Sequence, residues 1–428
     1  MEFKEIKKEI LRVMRDQEDD ASKFTLEYLR KKVTAILEHM EFKGRCAFAN
    51  KSARENVIES ICNDLTGFGP LQSFMDDKEV TEIMVNGTDS IYVEKHGKKT
   101  KSNLRFDDEE HLRYIIHRMI SPTGRRVDES SPFVDFSLDN GSRVNVIIPP
   151  LATGGPKLTV RKFLQDITTV DDLVKIGTID ARMAEFLIAC IKAKLNIIFS
   201  GATGSGKTTT LEVLSSYIAH NERIITIEDA RELHLRQEHV LYLLTRPSNI
   251  EGKGEIDSRA LFRNTLRMRP SRIILGEIRG EEAMDYLQAL NSGHSGCLAV
   301  IHAARPSEVI ARLETMAMYA GLNVSPWGVR KQISSGLNLI VQMEQFVDGS
   351  RKITYITEVG EVKEGHLVLH DIFRFESLGI DSDGRVKGAF KAVGMPRFLS
   401  FFRRRGVELS ENILKMDITD RPIDYVVE

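Results

Sequence analysis

Gly201-Ala202-Thr203-Gly204-Ser205-Gly206-Lys207-Thr208 decides how this chain is read. It matches G-x-x-x-x-G-K-[ST] in full. It follows an apolar run, Asn196-Ile197-Ile198-Phe199-Ser200, and precedes a helical stretch from Thr208 to Ala219. Strand before and helix after is the context that this pattern needs. The glycines let the backbone curl so that N–H groups point inward at phosphate oxygens, and the helix start adds its positive dipole end. Lys207 then reaches the β- and γ-phosphates of ATP, and the Thr208 hydroxyl holds Mg²⁺.

Short apolar runs alternate with helical stretches around that loop. The runs are Asn196–Ser200, Arg223–Ile227, Arg272–Leu275, Cys297–Ile301 and Asn338–Met343. Continuous apolar strands with helical crossovers predict a parallel sheet buried on both faces, an α/β core. Arg272-Ile273-Ile274-Leu275-Gly276-Glu277 ends in a carboxylate suited to orienting the attacking water or holding Mg²⁺ through water. Gly276 stands where an Asp is usual, so the Mg²⁺ shell leans on another acid, and Glu228 and Asp229 close the neighbouring strand. Helix capping or ion pairing is the competing reading for these two. His302 ends the strand Cys297–Ile301, where α/β sheets place ligands. It reads the γ-phosphate or the attacking water, or it is a satisfied structural histidine.

Upstream the texture changes. Residues 1–50 predict a helical region, with Phe3, Ile6, Ile10 and Met14 on one face and Leu26, Leu29, Val33, Ile36, Leu37 and Met40 on another. Glu18-Asp19-Asp20 marks the break between them. The region is a small bundle or an arm that packs on a partner. Residues 51–163 predict an α+β domain, with strands at Val80–Asn86, Ser90–Glu94, Asn103–Phe106 and Leu158–Phe163, and a helix over Asp108–Ile120. Asp139-Asn140-Gly141 predicts a hairpin between Val134–Leu138 and Arg143–Ile148. Residues 164–180 read as a linker, 181–375 as the nucleotide-binding domain and 376–428 as a C-terminal extension. Phosphoryl transfer needs cationic clamps. Arg125, Arg126, Arg143 and Arg161 in the α+β domain, and Arg263, Arg267, Arg269 and Arg279 near Glu277, are candidates, each with a solvated or salt-bridged alternative.

The 428 residues carry 60 Lys+Arg against 62 Asp+Glu, a net charge of −2. That balance argues against a dedicated duplex-DNA binder, which carries a basic excess. The first residues have no apolar core of a secretory signal, and no run reaches the ~18 apolar residues of a spanning helix. A cytoplasmic location is expected. Cys46, Cys62, Cys190 and Cys297 are scattered without a C-x-x-C pair, so buried reduced thiols are expected rather than a zinc site.

The set Gly201 to Thr209, Ile227-Glu228-Asp229-Ala230, Leu275-Gly276-Glu277-Ile278-Arg279-Gly280 and Gly293-His294 with Ile301-His302-Ala303 resembles the type II/type IV secretion superfamily of hexameric ATPases. There these stretches are the Walker A, Asp box, atypical Walker B and His box. Arg246-Pro247-Ser248-Asn249-Ile250-Glu251-Gly252-Lys253-Gly254-Glu255, Arg267-Met268-Arg269-Pro270 and Leu313-Glu314-Thr315-Met316 resemble the CpaF-type ATPases of tight-adherence (Flp) pilus assembly. Gly67-Phe68-Gly69-Pro70-Leu71, Val80 to Gly87 and Gly124 to Pro132 fit the same branch. The resemblance implies a RecA-like P-loop core behind an α+β, PAS-like domain, a ring of six subunits, and ATP bound between the two domains. It implies Arg126 and Arg143 as arginines for the γ-phosphate, with Arg161 after them. It also implies coupling to an inner-membrane platform protein, which would hold the chain on the cytoplasmic face; the near-zero net charge and the lack of a basic–aromatic stripe lead us to expect no direct nucleic acid. The competing classes are a RecA-like nucleic-acid translocase and a non-hydrolysing nucleotide-gated scaffold.

Overall fold

The computed structural model describes residues 5–7, 9–10, 25–95, 97–162, 167–246, 248, 253–321, 324–410, 413, 415–417 and 424–427. Phe3, Met14, the Glu18-Asp19-Asp20 break, Phe163, and Pro247 with Asn249–Gly252 lie outside the described residues. The chain forms two compact units, Met1–Leu164 and Gln165–Glu428.

The first unit begins with the helical bundle. Helix α1 (Leu26–Phe42) is capped by the Thr25 hydroxyl and buries Leu29, Val33, Leu37 and Met40, one stripe at i, i+4, i+8, i+11. Helix α2 (Lys51–Thr66) is capped by Asn50 and returns Val57, Ile58, Ile61, Cys62 and Leu65 to the same core, which Ile6 and Ile10 complete. The N-terminal helices therefore form a bundle rather than an arm, and its core reaches past residue 50 because α2 is one of its members. Lys7, itself buried, lies 2.6 Å from Asp64 and 2.8 Å from Asp107.

A six-stranded antiparallel sheet follows, ordered β3-β2-β1-β6-β5-β4. Its strands are β1 (Val80–Val85), β2 (Ile91–Lys95), β3 (Lys98–Lys101), β4 (Phe133–Ser137), β5 (Arg143–Ile147) and β6 (Lys157–Arg161). Helix α3 (Glu109–Ile120) covers one face with Leu112, Ile115, Ile116 and Met119. The Gly69-Pro70 turn needs its glycine. Gly69 has φ +59°, and a Cβ there would meet Ile115 Cδ1 at 3.0 Å and Asp64 Oδ1 at 3.2 Å. The Asn140-Gly141 hairpin forms as the spacing predicts, closed by Leu138 N–H on Ser142 O at 2.8 Å. Asn103–Phe106 is not a strand. The edge strand is Lys98–Lys101, fully exposed, and Phe106 turns into the core instead.

The second unit is one ten-stranded sheet ordered β15-β14-β13-β12-β7-β11-β10-β8-β9, with β16 beside β14. Its parallel part contains β7 (Ile197–Gly201), β8 (Ile224–Glu228), β9 (Val240–Leu244), β10 (Arg272–Leu275), β11 (Leu298–Ile301) and β12 (Leu339–Gln345). Ile197 and Phe199 face the core that contains helices α4 (Ala181–Lys192) and α5 (Lys207–Ser215). Ile198 faces the opposite core, filled from α6 (Ser258–Thr265), α7 (Glu282–Asn291), α8 (Pro306–Tyr319) and α9 (Pro326–Gly336). Burial on both faces is why these strands read as unbroken apolar runs.

The sheet does not stop at residue 375. β13 (Arg351–Lys363) and β14 (His366–Ile380) form a long antiparallel pair, β15 (Val386–Ala392) adds to it, and β16 (Asp424–Val427) pairs with β14. In helix α10 (Leu399–Arg404), Phe402 is buried and packs with Phe398 against Phe186 of α4. The residues after 375 are thus part of the same layer and core, not a separate extension. All four cysteines are reduced and buried, as their scatter predicts. Among the described residues no helix is long and apolar enough to cross a membrane.

Candidate functional site

In a parallel sheet the carboxyl ends of neighbouring strands lie side by side. Here the neighbours are β8, β10, β11 and β7. Their ends deliver Glu228 and Asp229, Glu277, His302 and the glycine loop, in that spatial order.

The loop is built from positive-φ glycines. Gly201, Gly204 and Gly206 have φ of +153°, +80° and +94°. A Cβ on Gly201 would meet the Met343 carbonyl oxygen at 2.3 Å and Ser205 Oγ at 2.6 Å, so no other residue fits. Helix α5 starts at Lys207 with no side-chain cap, leaving its first N–H groups to an anion. Lys207 is buried and its ammonium turns back 2.7 Å to the Ala202 carbonyl, inside the curl that Ala202 and Thr203 form. Thr208 and Thr209 are the second and third helical residues. This donor set fits a nucleotide phosphate chain.

Glu277 is held from behind by its backbone. Gly276 N–H donates to Ile227 O and Ile278 N–H to Val300 O, both at 2.9 Å. Its carboxylate takes Arg279 at 2.6 Å, and Arg279 in turn reaches Asp229 at 3.1 Å. Its other oxygen lies 3.3 Å from His302 Nε2, and His302 Nδ1 lies 3.4 Å from Lys207 Nζ. Burial, then the neighbouring Lys207 ammonium, hold His302 below the usual imidazole range against the pull of Glu277. A neutral ring with its proton on Nε2 donates to Glu277 and accepts at Nδ1 from Lys207. Asp229, Arg279, Glu277, His302 and Lys207 therefore form one chain of alternating polar contacts across four strand ends.

Glu228 does something else. It is buried, and its carboxylate accepts from the Thr226 hydroxyl at 3.2 Å, Glu232 N–H at 2.9 Å and Leu233 N–H at 3.0 Å. Both amides fall on one oxygen and the hydroxyl on the other. A buried carboxylate at a strand end takes the nearest backbone N–H groups, and the loop that supplies them is invisible in the spacing. Glu228 also explains Gly276: a Cβ there would meet Glu228 Cγ at 2.9 Å.

The sequence-based arginine candidates divide. Arg279 is in the chain just described, and Arg263 pairs with Asp285 at 2.7 Å. Arg126 and Arg143 belong to the first unit. Arg126 is exposed and 3.5 Å from Asp128. Arg143 is the first residue of β5 and pairs across the sheet with Arg161 of β6, which itself pairs with Glu82 of β1. Sequence reasoning missed Arg351, whose Nε donates to Gly204 O at 2.7 Å. It comes from the antiparallel extension, and no local pattern connects it to the glycine loop.

The fold and the site define a P-loop nucleoside triphosphatase with a RecA-like core. Residues 64–360 match the type II/IV secretion system protein family, and the chain belongs to that family; it is an ATP-hydrolysing enzyme. It is 34% identical over 305 residues, 70% of this chain and 86% of the other, to a Mycobacterium tuberculosis protein named for conjugal transfer. It is 32% identical over 305 residues, 64% of this chain and 88% of the other, to the type IV secretion system protein PtlH of Bordetella pertussis. Among solved structures it is similar to the VirB11 ATPase of the Brucella suis type IV secretion system, with 25% identity, 71% of this chain and 96% of that chain covered, and a TM-score of 0.37.

Proposed function

We propose that the chain is a hexameric motor that powers assembly of a tight-adherence (Flp) pilus, or a related secretion step. It works from the cytoplasmic face of the inner membrane by coupling ATP-driven domain closure to a membrane platform protein. The observation that carries the motor reading is the row of strand ends, where a phosphate cradle and a positioned carboxylate stand together in one sheet. When bound, Mg²⁺ would supply charge neutralisation on the phosphate chain, with the Thr208 hydroxyl as its protein ligand. Lys207 binds the phosphates, leaving Ala202 O to do so. Glu277, steadied by Arg279 and His302, orients the attacking water. Arg126 and Arg143 are the arginines we assign to the γ-phosphate, on the resemblance of their motifs. The tight-adherence branch rests on the described parts of its motifs, Lys253-Gly254-Glu255, Arg267 to Pro270 and Leu313 to Met316.

A nucleic-acid translocase is the second reading. The M. tuberculosis relative's conjugal-transfer name favours it, and the net charge of −2 weighs against it. The test is ATP turnover by the purified protein, Lys207→Ala and Glu277→Gln, with native mass read on the same samples with and without ATP. The motor reading expects Lys207→Ala to lose nucleotide binding or turnover. Glu277→Gln should bind ATP without turnover, with a mass near six subunits. Wild-type turnover in Glu277→Gln removes the catalytic assignment, and turnover raised by single-stranded DNA favours the translocase.

A further inference from the structure

The peptide unit between Gly204 and Ser205 is held at both ends. Ser205 N–H donates to Ala202 O at 3.3 Å, the carbonyl that Ser205 Oγ reaches at 2.8 Å and Lys207 Nζ at 2.7 Å. The Gly204 carbonyl accepts from Arg351 Nε at 2.7 Å. The bond is trans, so its C=O and N–H point opposite ways. Arg351 therefore lies on the side away from Ala202 O, where an amide, a hydroxyl and an ammonium converge.

The arginine is delivered by the sheet. β12 lies beside β7, with Met343 opposite Gly201, and β13 turns back along β12 with Arg351 opposite Gln345. This facing pair rests against the glycine loop. A Cβ on Gly204 would meet Gln345 Oε1, and one on Gly206 would meet Arg351 Cδ, each at 3.2 Å. The turn between the strands is braced. Gly349 N–H donates to Phe346 O at 2.9 Å, and Asp348 accepts from Ser350 N–H at 2.9 Å and from Val386 N–H of β15 at 2.7 Å. On the far side of Arg351, Lys352 Nζ donates to Gly177 O at 3.0 Å and Ile353 N–H to Thr178 O at 2.9 Å.

We infer that Arg351 is a positioning residue for nucleotide binding: by holding Gly204 O from outside the loop, its Nε–H keeps the Ser205 amide turned toward the phosphate chain. This role presupposes that the glycine loop is the phosphate cradle and Lys207 its cation. Ser205 stands between Gly204 and Gly206, at φ +80° and +94°. Glycine lets a neighbouring peptide unit rotate at little steric cost. A rotated Gly204–Ser205 unit would turn a carbonyl oxygen toward the anion in place of an N–H. Arg351 opposes that rotation, because turning the carbonyl inward breaks a charge-assisted hydrogen bond. The loop is thereby set for phosphate by a residue that the antiparallel extension supplies.

The substitutions separate the N–H from the charge. Glutamine carries Nε2 on Cδ as arginine carries Nε, so Arg351→Gln keeps a donor at the same place along the side chain and removes the charge. Lysine keeps the charge and carries its nitrogen one bond farther out. ADP affinity is read by calorimetry, and kcat and KM by ATP turnover, for wild type, Arg351→Ala, Arg351→Gln, Arg351→Lys and Lys207→Ala. Arg351→Ala is expected to weaken ADP and raise KM about tenfold, with kcat unchanged. Arg351→Gln restores both. Wild-type ADP affinity in Arg351→Ala, a Gln variant as weak as Ala, or a loss confined to kcat would overturn the assignment. If Arg351→Ala fails to fold, the other two still decide: Gln binding ADP more tightly than Lys supports the N–H, and Lys binding more tightly than Gln overturns it. Lys207→Ala separates the two readings. Wild-type ADP affinity there removes the phosphate cradle itself, whereas lost binding in Lys207→Ala beside full binding in Arg351→Ala removes only Arg351.

Discussion

Arg272→Met should destabilise the second unit far more than an exposed arginine would. The Arg272 side chain is 1% exposed at the start of β10, five residues before Glu277. Its guanidinium donates to both oxygens of Glu222, at 2.8 and 3.2 Å, to Ile191 O at 2.8 Å and to Gly296 O at 3.3 Å. Methionine keeps the aliphatic stem and loses every donor. Breaking a buried ion pair from one side costs about 3–5 kcal/mol, because the remaining charge stays buried. Lys194, 2.6 Å from Glu222, retains part of the compensation, so the lower end applies, about 3 kcal/mol. The pH dependence follows from Glu222. Burial alone would raise its carboxyl, but Arg272 and Lys194 together hold it below the usual value of 4.5. A depressed carboxyl contributes stability above its unfolded value and loses it on acidification. The gap between wild type and variant should therefore be full at pH 7 and narrow below about pH 4.5. Urea unfolding followed by far-UV circular dichroism and by Trp327 gives the number; Trp327 is the only tryptophan in the chain and lies in the second unit. A difference under about 1 kcal/mol at pH 7, the range of an exposed pair, would refute the reasoning.

Three further outcomes are expected. Gly276→Ala drives a methyl into Glu228 Cγ at 2.9 Å, so it should cost about 1–3 kcal/mol and slow turnover, read by thermal unfolding and ATPase rate; a neutral variant would mean Glu228 yields freely. Arg143→Ala should lower turnover with only a modest change in ADP affinity, and equal losses of ATP and ADP binding would make Arg143 structural. Glu212→Gln should stabilise the protein at pH 8 and not at pH 4.5. A carboxyl raised to about 7 in the fold keeps its proton where the unfolded chain has lost it, so its penalty grows as pH climbs from 4.5 through 7. Discounted for partial solvent screening, the gain is about 2 kcal/mol, and a pH-independent difference in melting would contradict it.

What could be read from the sequence was whatever chemistry forces into a local pattern. The glycine loop is legible because only glycine takes those φ values and only a strand–helix junction places it. Glu277 and His302 are legible because each ends a short apolar run. Residue 375 reads as a boundary in the sequence but falls inside β14, because antiparallel pairing over strands of 13 and 15 residues is set by register with distant partners. The same cause hid Arg351. The contacts of Glu228 with Glu232 and Leu233 are not legible, because their donors are backbone amides, which carry no sequence signal.

β3 has a consequence for the life of the protein before and between its working states. It is the outermost strand of its sheet, short and wholly exposed, and three of its four residues are lysines, Lys98, Lys99 and Lys101. An open strand rim offers unpaired amides and carbonyls to any other chain, and clustered lysines make that rim repel its own likeness. Where many copies are made and gathered in one place, this guards solubility. A version with Val or Thr at those three positions would keep its fold and its chemistry while gaining a rim that stacks. Its defect would surface as precipitation on concentration, not as lost turnover per folded molecule.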